Sequence, residues 1–228
     1  MKKTFWNMLK VVGSLVLVFI INRPLTYLIS HQKSLTAWTA WGASLLYLLA
    51  VLGLILWLWR VYRTETVANS LRLKDVGIAL LFGLLARLVA IIGTLLILLT
   101  SGQETSANDT VLFGIAAELK DGFFPIAVLF LLYTALIAPV VEELIFRGLF
   151  IELLFKNGPK WLAWLLSSAV FAGLHLHSVA PMEFLLYFAL ASVLYLSYAR
   201  RGEIKDSILV HILNNALPSL VFAFQIFF

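Results

Sequence analysis

Seven apolar runs of roughly membrane-crossing length leave this chain one class of fold. They lie at about 5–29, 37–59, 77–100, 123–150, 161–179, 182–199 and 207–228. A helix needs roughly 20 apolar residues to cross a bilayer. The runs are unbroken rather than alternating, which argues against an outer-membrane barrel. Of the 228 residues, 62% are apolar and 13% charged, against about 45–50% and about 25% in a soluble domain. A compact core of this size could not bury that much apolar surface. The expectation is an all-α, polytopic helical membrane protein of about seven transmembrane helices in a single domain, free of repeats and linkers. With no cysteine in the chain, a disulfide framework, a thiolate metal site and a cysteine nucleophile are all excluded.

Charge gives an orientation. Loops facing the cytoplasm carry an excess of Lys and Arg. With the N-terminus inside and all seven runs crossing, twelve basic residues fall inside: Lys2, Lys3, Lys10, Arg60, Arg63, Arg72, Lys74, Lys156, Lys160, Arg200, Arg201 and Lys205. Three fall outside, namely Arg23, Lys33 and Lys120. The net charge of +5 is thus a topology signal, and no nucleic-acid partner is expected. Lys2 and Lys3 precede an apolar run, but no small-x-small cleavage site follows, so the first run is an uncleaved span. Lys10, Asn22, Arg23 and Pro24 interrupt it, and a kinked or interfacial helix is an alternative there. In the acidic loop at 101–122, residues Val111 to Lys120 could form a short interfacial helix.

Ionisable groups inside a membrane are costly and mark function or pairing. Most of those within spans fall between 139 and 215, with Arg87 apart. In Ala138-Pro-Val-Val-Glu-Glu-Leu-Ile-Phe-Arg147-Gly, Glu143 and Arg147 stand about 40° apart on a helix and can pair. Glu142 lies about 140° from Arg147 and points elsewhere. A carboxylate left unpaired at depth suits general-base work. The bland alternative is one buried ion network of both glutamates with Arg147 and Arg87. Phe171 and His175 share a face, and Gly173 is expected to admit a close helix neighbour. His177 begins a loop and is taken as solvated. His211 and Asn215 also share a face, able to donate hydrogen bonds in one direction as an oxyanion site requires; interhelical bonding is the alternative. Asn214, about 60° from His211, reads as such an interhelical packing contact.

Zincin, serine-hydrolase and phosphate-loop signatures are absent, and no aspartate lies mid-span. Carboxylate, imidazole and carboxamide remain. They suit water activated by Glu142 and His175, with His211 and Asn215 holding the negative intermediate.

Three patterns occur in order on three runs: Glu142-Glu143-x-x-x-Arg147, Phe171-x-x-x-His175 and His211-x-x-x-Asn215. They resemble those of the CAAX-protease and bacteriocin-processing (CPBP, or Abi) family of intramembrane endopeptidases. Ala138-Pro139 and Arg200-Arg201-Gly202 resemble its flanks. The likeness covers about 123–216, so 123–228 would be the catalytic core and 1–122 a scaffold of helices with an outer loop, integrated as one domain. It implies that Glu142 activates water with help from His175, that His211 and Asn215 form the oxyanion site, and that Glu143 and Arg147 are structural. The substrate would be a peptide or a membrane or lipid-anchored protein, in the plasma membrane of a bacterium, in settings such as bacteriocin self-immunity or peptide maturation. A metal-free site is expected; zinc, if used, would sit on Glu142, His175 and His211. The alternatives are a non-catalytic membrane scaffold or immunity partner of a sensor protein, and a proton-coupled transporter built on Glu142, Arg147 and Arg87. A common site requires tilt, a broken helix or a fifth span that starts outside the hydrocarbon, because His211 lies about 9 Å from Lys205 while His175 lies about 22 Å from Lys160. The stretch 123–155 exceeds one crossing, and an interfacial helix is expected after Arg147.

Overall fold

A computed structural model of the chain describes residues 2–67 and 69–228. The side chains of Lys2 and Lys3, counted above among the basic residues, lie outside the described residues. Eight helices follow in order: α1 Lys2–Ser30, α2 Ala37–Glu65, α3 Leu73–Ser101, α4 Ala107–Leu119, α5 Phe124–Leu154, α6 Lys160–Leu174, α7 Pro181–Ala199 and α8 Ile204–Phe227. Among the described residues there is no strand. Six helices are long and apolar enough to cross a membrane, while α6, at 15 residues, is shorter.

The spans are not equivalent. Half of the most apolar stretch of α7 and 44% of that of α5 is buried in protein, against 22% for α2 and α3 and 17% for α1. Thus α5 and α7 form the centre, and α1 to α3 present leucines such as Leu46, Leu81 and Leu84 outward, where lipid replaces water. Gly93 of α3 faces α7 so closely that an added Cβ would overlap Leu186. Small residues allow such approach between helices in lipid.

The basic ends of the helices gather at one end of the bundle. Asp75 at the start of α3 and Asp206 at the start of α8 each pair with both Arg200 and Arg201 at 2.6–2.9 Å. Gly202 completes this turn with φ +67°, a left-handed conformation that favours glycine. Glu203 accepts from the Asn69 amide at 2.7 Å. These contacts fix where α8 begins and hence the depth of His211. Lys156 contacts Glu65 at the same end, and Asn7 donates to the Leu153 carbonyl at 2.9 Å. At the other end, Glu183 accepts from the Ala107 amide at 2.9 Å and Ser106 caps α4 through the Asp109 amide at 3.1 Å.

Three expectations change. The chain after Arg147 makes no separate interfacial helix. Instead α5 runs to Leu154, with wide π-helical turns at Tyr133–Ile137 and Leu144–Ile151 around the segment that holds Pro139 and Glu142. Pro139 cannot donate the i→i−4 bond, and π turns absorb such a fault and often flank functional groups. The fifth apolar run stops at Leu174 rather than 179. Gly173 admits no neighbour: nothing lies within 4 Å of where its Cβ would be. The first span is one continuous helix that carries Pro24, and α4 takes the place of the proposed 111–120 helix.

Candidate active site

The short α6 ends at Leu174, so that His175 caps it. Freed at the helix terminus, the His175 ring lies between Phe171 and Tyr187, with ring centres 4.3 and 4.8 Å away and both stacked. Its Nδ1 donates to the Phe171 carbonyl at 2.8 Å, because a carbonyl can only accept. Nε2 then faces Glu142 Oε2 at 4.0 Å. From α8, His211 Nε2 faces the same oxygen at 3.8 Å, while its Nδ1 donates to Glu143 Oε1 at 3.0 Å.

The two glutamates divide as their helix angle suggests. Glu143 is fully buried and its Oε1 also accepts from Arg147 at 2.9 Å. Arg147 is equally buried, donates to the Ala191 carbonyl at 2.7 Å, and places its guanidinium 5.1 Å from the centre of the Phe171 ring. One salt bridge thus joins α5 to α6, α7 and α8. Glu142 has no such partner and lines a cavity of about 360 Å³ together with His175, His211 and Asn215.

The polar groups beyond this centre are arranged differently from expectation. Asn215 and His211 do not both aim free donors in one direction: the Asn215 amide donates to the Thr134 carbonyl at 3.2 Å and its oxygen accepts from Asn214 at 3.1 Å. Asn214 makes an interhelical bond of the kind expected of it, accepting from Arg87 of α3 at 2.7 Å. Arg87 therefore belongs to the cavity wall and not to the Glu143–Arg147 pair, so the single ion network does not form. The N-terminal helices supply part of the cavity, through Asn22 of α1, Arg87 of α3 and Asp109 of α4. Burial raises the Asp109 carboxyl above its usual range. His177 is exposed. Sequence reasoning missed Tyr187, whose hydroxyl meets Ser106 at 2.8 Å; an aromatic in an apolar helix gives no sign of that role.

Glutamate with two imidazoles is a zinc-compatible donor set, and each Nδ1–H is held by an outer acceptor, as around metal-bound histidines. Adjacent ligands on tetrahedral zinc stand about 3.3 Å apart, given bonds of about 2.0–2.1 Å. Separations of 3.8 and 4.0 Å exceed that. Among the described residues no group of three His, Asp or Glu is close enough to hold a metal ion. The donors as placed do not fit zinc. Each gap from Glu142 Oε2 has the span of one bridging water at about 2.8 Å from both atoms.

A carboxylate and two imidazoles, brought from three helices to one cavity inside a helical membrane bundle, define the class: a polytopic membrane protein with a buried, water-sized acid–base centre. Residues 124–217, which supply all three groups, match the family Type II CAAX prenyl endopeptidase Rce1-like. That segment also carries the three patterns that resemble those of the CPBP family. The chain is 25% identical over 227 residues to "Putative membrane peptidase YdiL" of Bacillus subtilis, covering 94% of this chain and 87% of that one. It is 39% identical over 90 residues to UPF0177 protein YaiH of Lactococcus lactis, covering 40% of this chain and 36% of that one. No solved structure matches.

Proposed function

We propose that this protein is an intramembrane endopeptidase that hydrolyses a peptide bond of a membrane-associated peptide or protein with water activated by Glu142. The observation that carries this is the pair of one-water gaps, 4.0 and 3.8 Å, between Glu142 Oε2 and the Nε2 atoms of His175 and His211. The family of residues 124–217 and the name of the Bacillus subtilis relative support it.

Counting protons assigns the roles. With both Nδ1 atoms donating outward, the water meets three acceptors but brings two hydrogens. For His211 to donate to an oxyanion through Nε2 while its Nδ1 donates to Glu143, the reactive form of the ring carries both protons. A doubly protonated His211 donates to Glu143 through Nδ1 and into the cavity through Nε2. It also balances Glu142 and Glu143 against Arg147, and buried charges are tolerated when so compensated. Glu142 takes a proton from water as the oxygen attacks the carbonyl carbon. The carbonyl oxygen becomes an oxyanion stabilised by His211 Nε2–H, with Asn215 as second donor once its amide turns from Thr134. The proton on Glu142 passes to the leaving nitrogen, directly or through His175, and the C–N bond breaks. No step is routed through a metal.

Glu142→Gln and His175→Ala should each lower cleavage at least a hundredfold, the size of a lost general-base contribution, at unchanged membrane expression. Full activity in both variants excludes hydrolysis at this centre and favours the non-catalytic partner. Activity lost to a chelator and restored by zinc would replace the metal-free mechanism. We place the basic end of the bundle in the cytoplasm of a bacterial cell; a fluorescent reporter should then be bright at the N-terminus and dark at the C-terminus. A role in bacteriocin immunity or peptide maturation would follow from the substrate, and cleavage of a candidate precursor by purified protein tests it.

A further inference from the structure

Arg87 is the fifteenth of the 29 residues of α3, so each end of the helix is about 21 Å away. A side chain placed there cannot reach either membrane surface by snorkelling. A guanidinium at that depth is retained only where something compensates it. What the protein supplies is small. Its hydrogen bond to protein is one Nη2 contact with the Asn214 amide oxygen at 2.7 Å, and its Nε is buried without a partner. Among the described residues no carboxylate approaches its nitrogens within 4.0 Å. Arg147, the other mid-membrane arginine, also leaves its Nε without a partner, but it has what Arg87 lacks, a carboxylate in contact, Glu143 at 2.9 Å, and the Ala191 carbonyl as well.

The same guanidinium lines the cavity that holds Glu142 and His211. Asn214 fixes one of its nitrogens, which orients the planar fork and leaves donors for a ligand. Planar forks of this kind match carboxylates two bonds at a time. Asp109 lies in the same cavity on α4, unpaired with Arg87, and would compete for it.

We propose that Arg87, held by Asn214, is a binding subsite for a carboxylate of the peptide lying in the cavity, so that the protein prefers substrates that bring a negative group to mid-membrane. This deepens the proposed function and rests on it for the identity of the ligand as a peptide. The carboxylate could be the chain end or an acidic side chain, and the two are separated below.

The test uses the full chain carrying Glu142→Gln in detergent micelles, so that bound peptides are not turned over. The probe is a mixture of N-acylated apolar tetrapeptides made with free-acid ends, with amide ends, and with amide ends plus one internal glutamate; retained peptides are quantified by mass spectrometry. Free acids should be retained about tenfold over amides, in keeping with a charge-assisted contact. If the glutamate-containing amides are retained as well as the acids, the subsite accepts any carboxylate; if they are not, it reads the chain end. Adding Arg87→Gln should remove the preference. Asn214→Asp should remove it too, because it keeps the contact while occupying the guanidinium with a resident anion. Asp109→Asn should strengthen it. Equal retention of acids and amides, no retention of either, or a preference that survives Arg87→Gln and Asn214→Asp overturns the subsite. Cleavage of the retained peptides by protein with Glu142 intact is read separately. If only that fails, the peptidase reading fails and the anion subsite stands.

Discussion

At the scale of residues, Glu142 and Glu143 show how one step along a helix separates two chemistries. Glu143 shares Oε1 between Arg147 and His211 and has no access to the cavity. Glu142 keeps Oε2 on the cavity, one water from two imidazoles. Removing one member of a buried pair leaves the other charge uncompensated, which costs about 3–5 kcal/mol. Arg147→Met should therefore lower thermal stability in detergent sharply and deplete folded protein. Glu143→Gln leaves the buried Arg147 without its carboxylate and should also destabilise, and in addition it should cut turnover per folded molecule, because the His211 Nδ1–H then faces a neutral acceptor. Turnover per folded molecule unchanged in Glu143→Gln would contradict this division. The pairing of Glu143 with Arg147 was legible as an i, i+4 spacing, and the isolation of Glu142 as an angle. The carbonyls of Thr134, Phe171 and Ala191 were not legible, since every residue carries a carbonyl and only the packing selects which one accepts. Arg87 stood out as a misplaced charge and Asn214 as an interhelical contact, but nothing in the sequence joined the two until α3 and α8 were brought together.

At the scale of elements, helix number and most boundaries follow from hydropathy, because the bilayer demands apolar length and satisfied backbone groups. The departures are where the backbone is irregular. Hydropathy extends the fifth run through Leu176 and Val179, but α6 stops at Leu174. It cannot register π turns, so the excess length of α5 read as a separate helix. Close packing is equally silent in a hydropathy scan. Gly93 is one glycine among several in apolar runs, yet it alone of those in α3 meets a neighbour closely enough to clash. Gly93→Val should push α3 from α7 and destabilise by about 1–3 kcal/mol. Gly77→Val, on the same helix with open space around it, is the control. Similar thermal unfolding of the two variants would remove Gly93 from the α3–α7 contact. Because Leu186 adjoins Tyr187, the Gly93 variant should also lose turnover.

At the scale of the whole molecule, hydrolysis inside a lipid phase has a supply problem, and the brevity of α6 addresses it. Fifteen residues span about 22 Å where hydrocarbon is about 30 Å thick. With the stretch that follows exposed at His177 and almost fully so at Val179, a bilayer of that thickness would overhang α6 by about 8 Å. Lipid headgroups sinking at α6 would bring the aqueous boundary down to the stacked imidazole of His175. Mismatch of this kind costs fractions of a kcal/mol per ångström, so the dimple deepens at a penalty that grows with acyl length. Turnover of one substrate should fall a few-fold between vesicles of short-chain and long-chain phosphatidylcholine, while the same protein in detergent shows no such trend. A rate indifferent to chain length would mean that solvent arrives by another route. The shortened crossing is then a drinking straw cut to length, through which a centre sunk in oil stays wet.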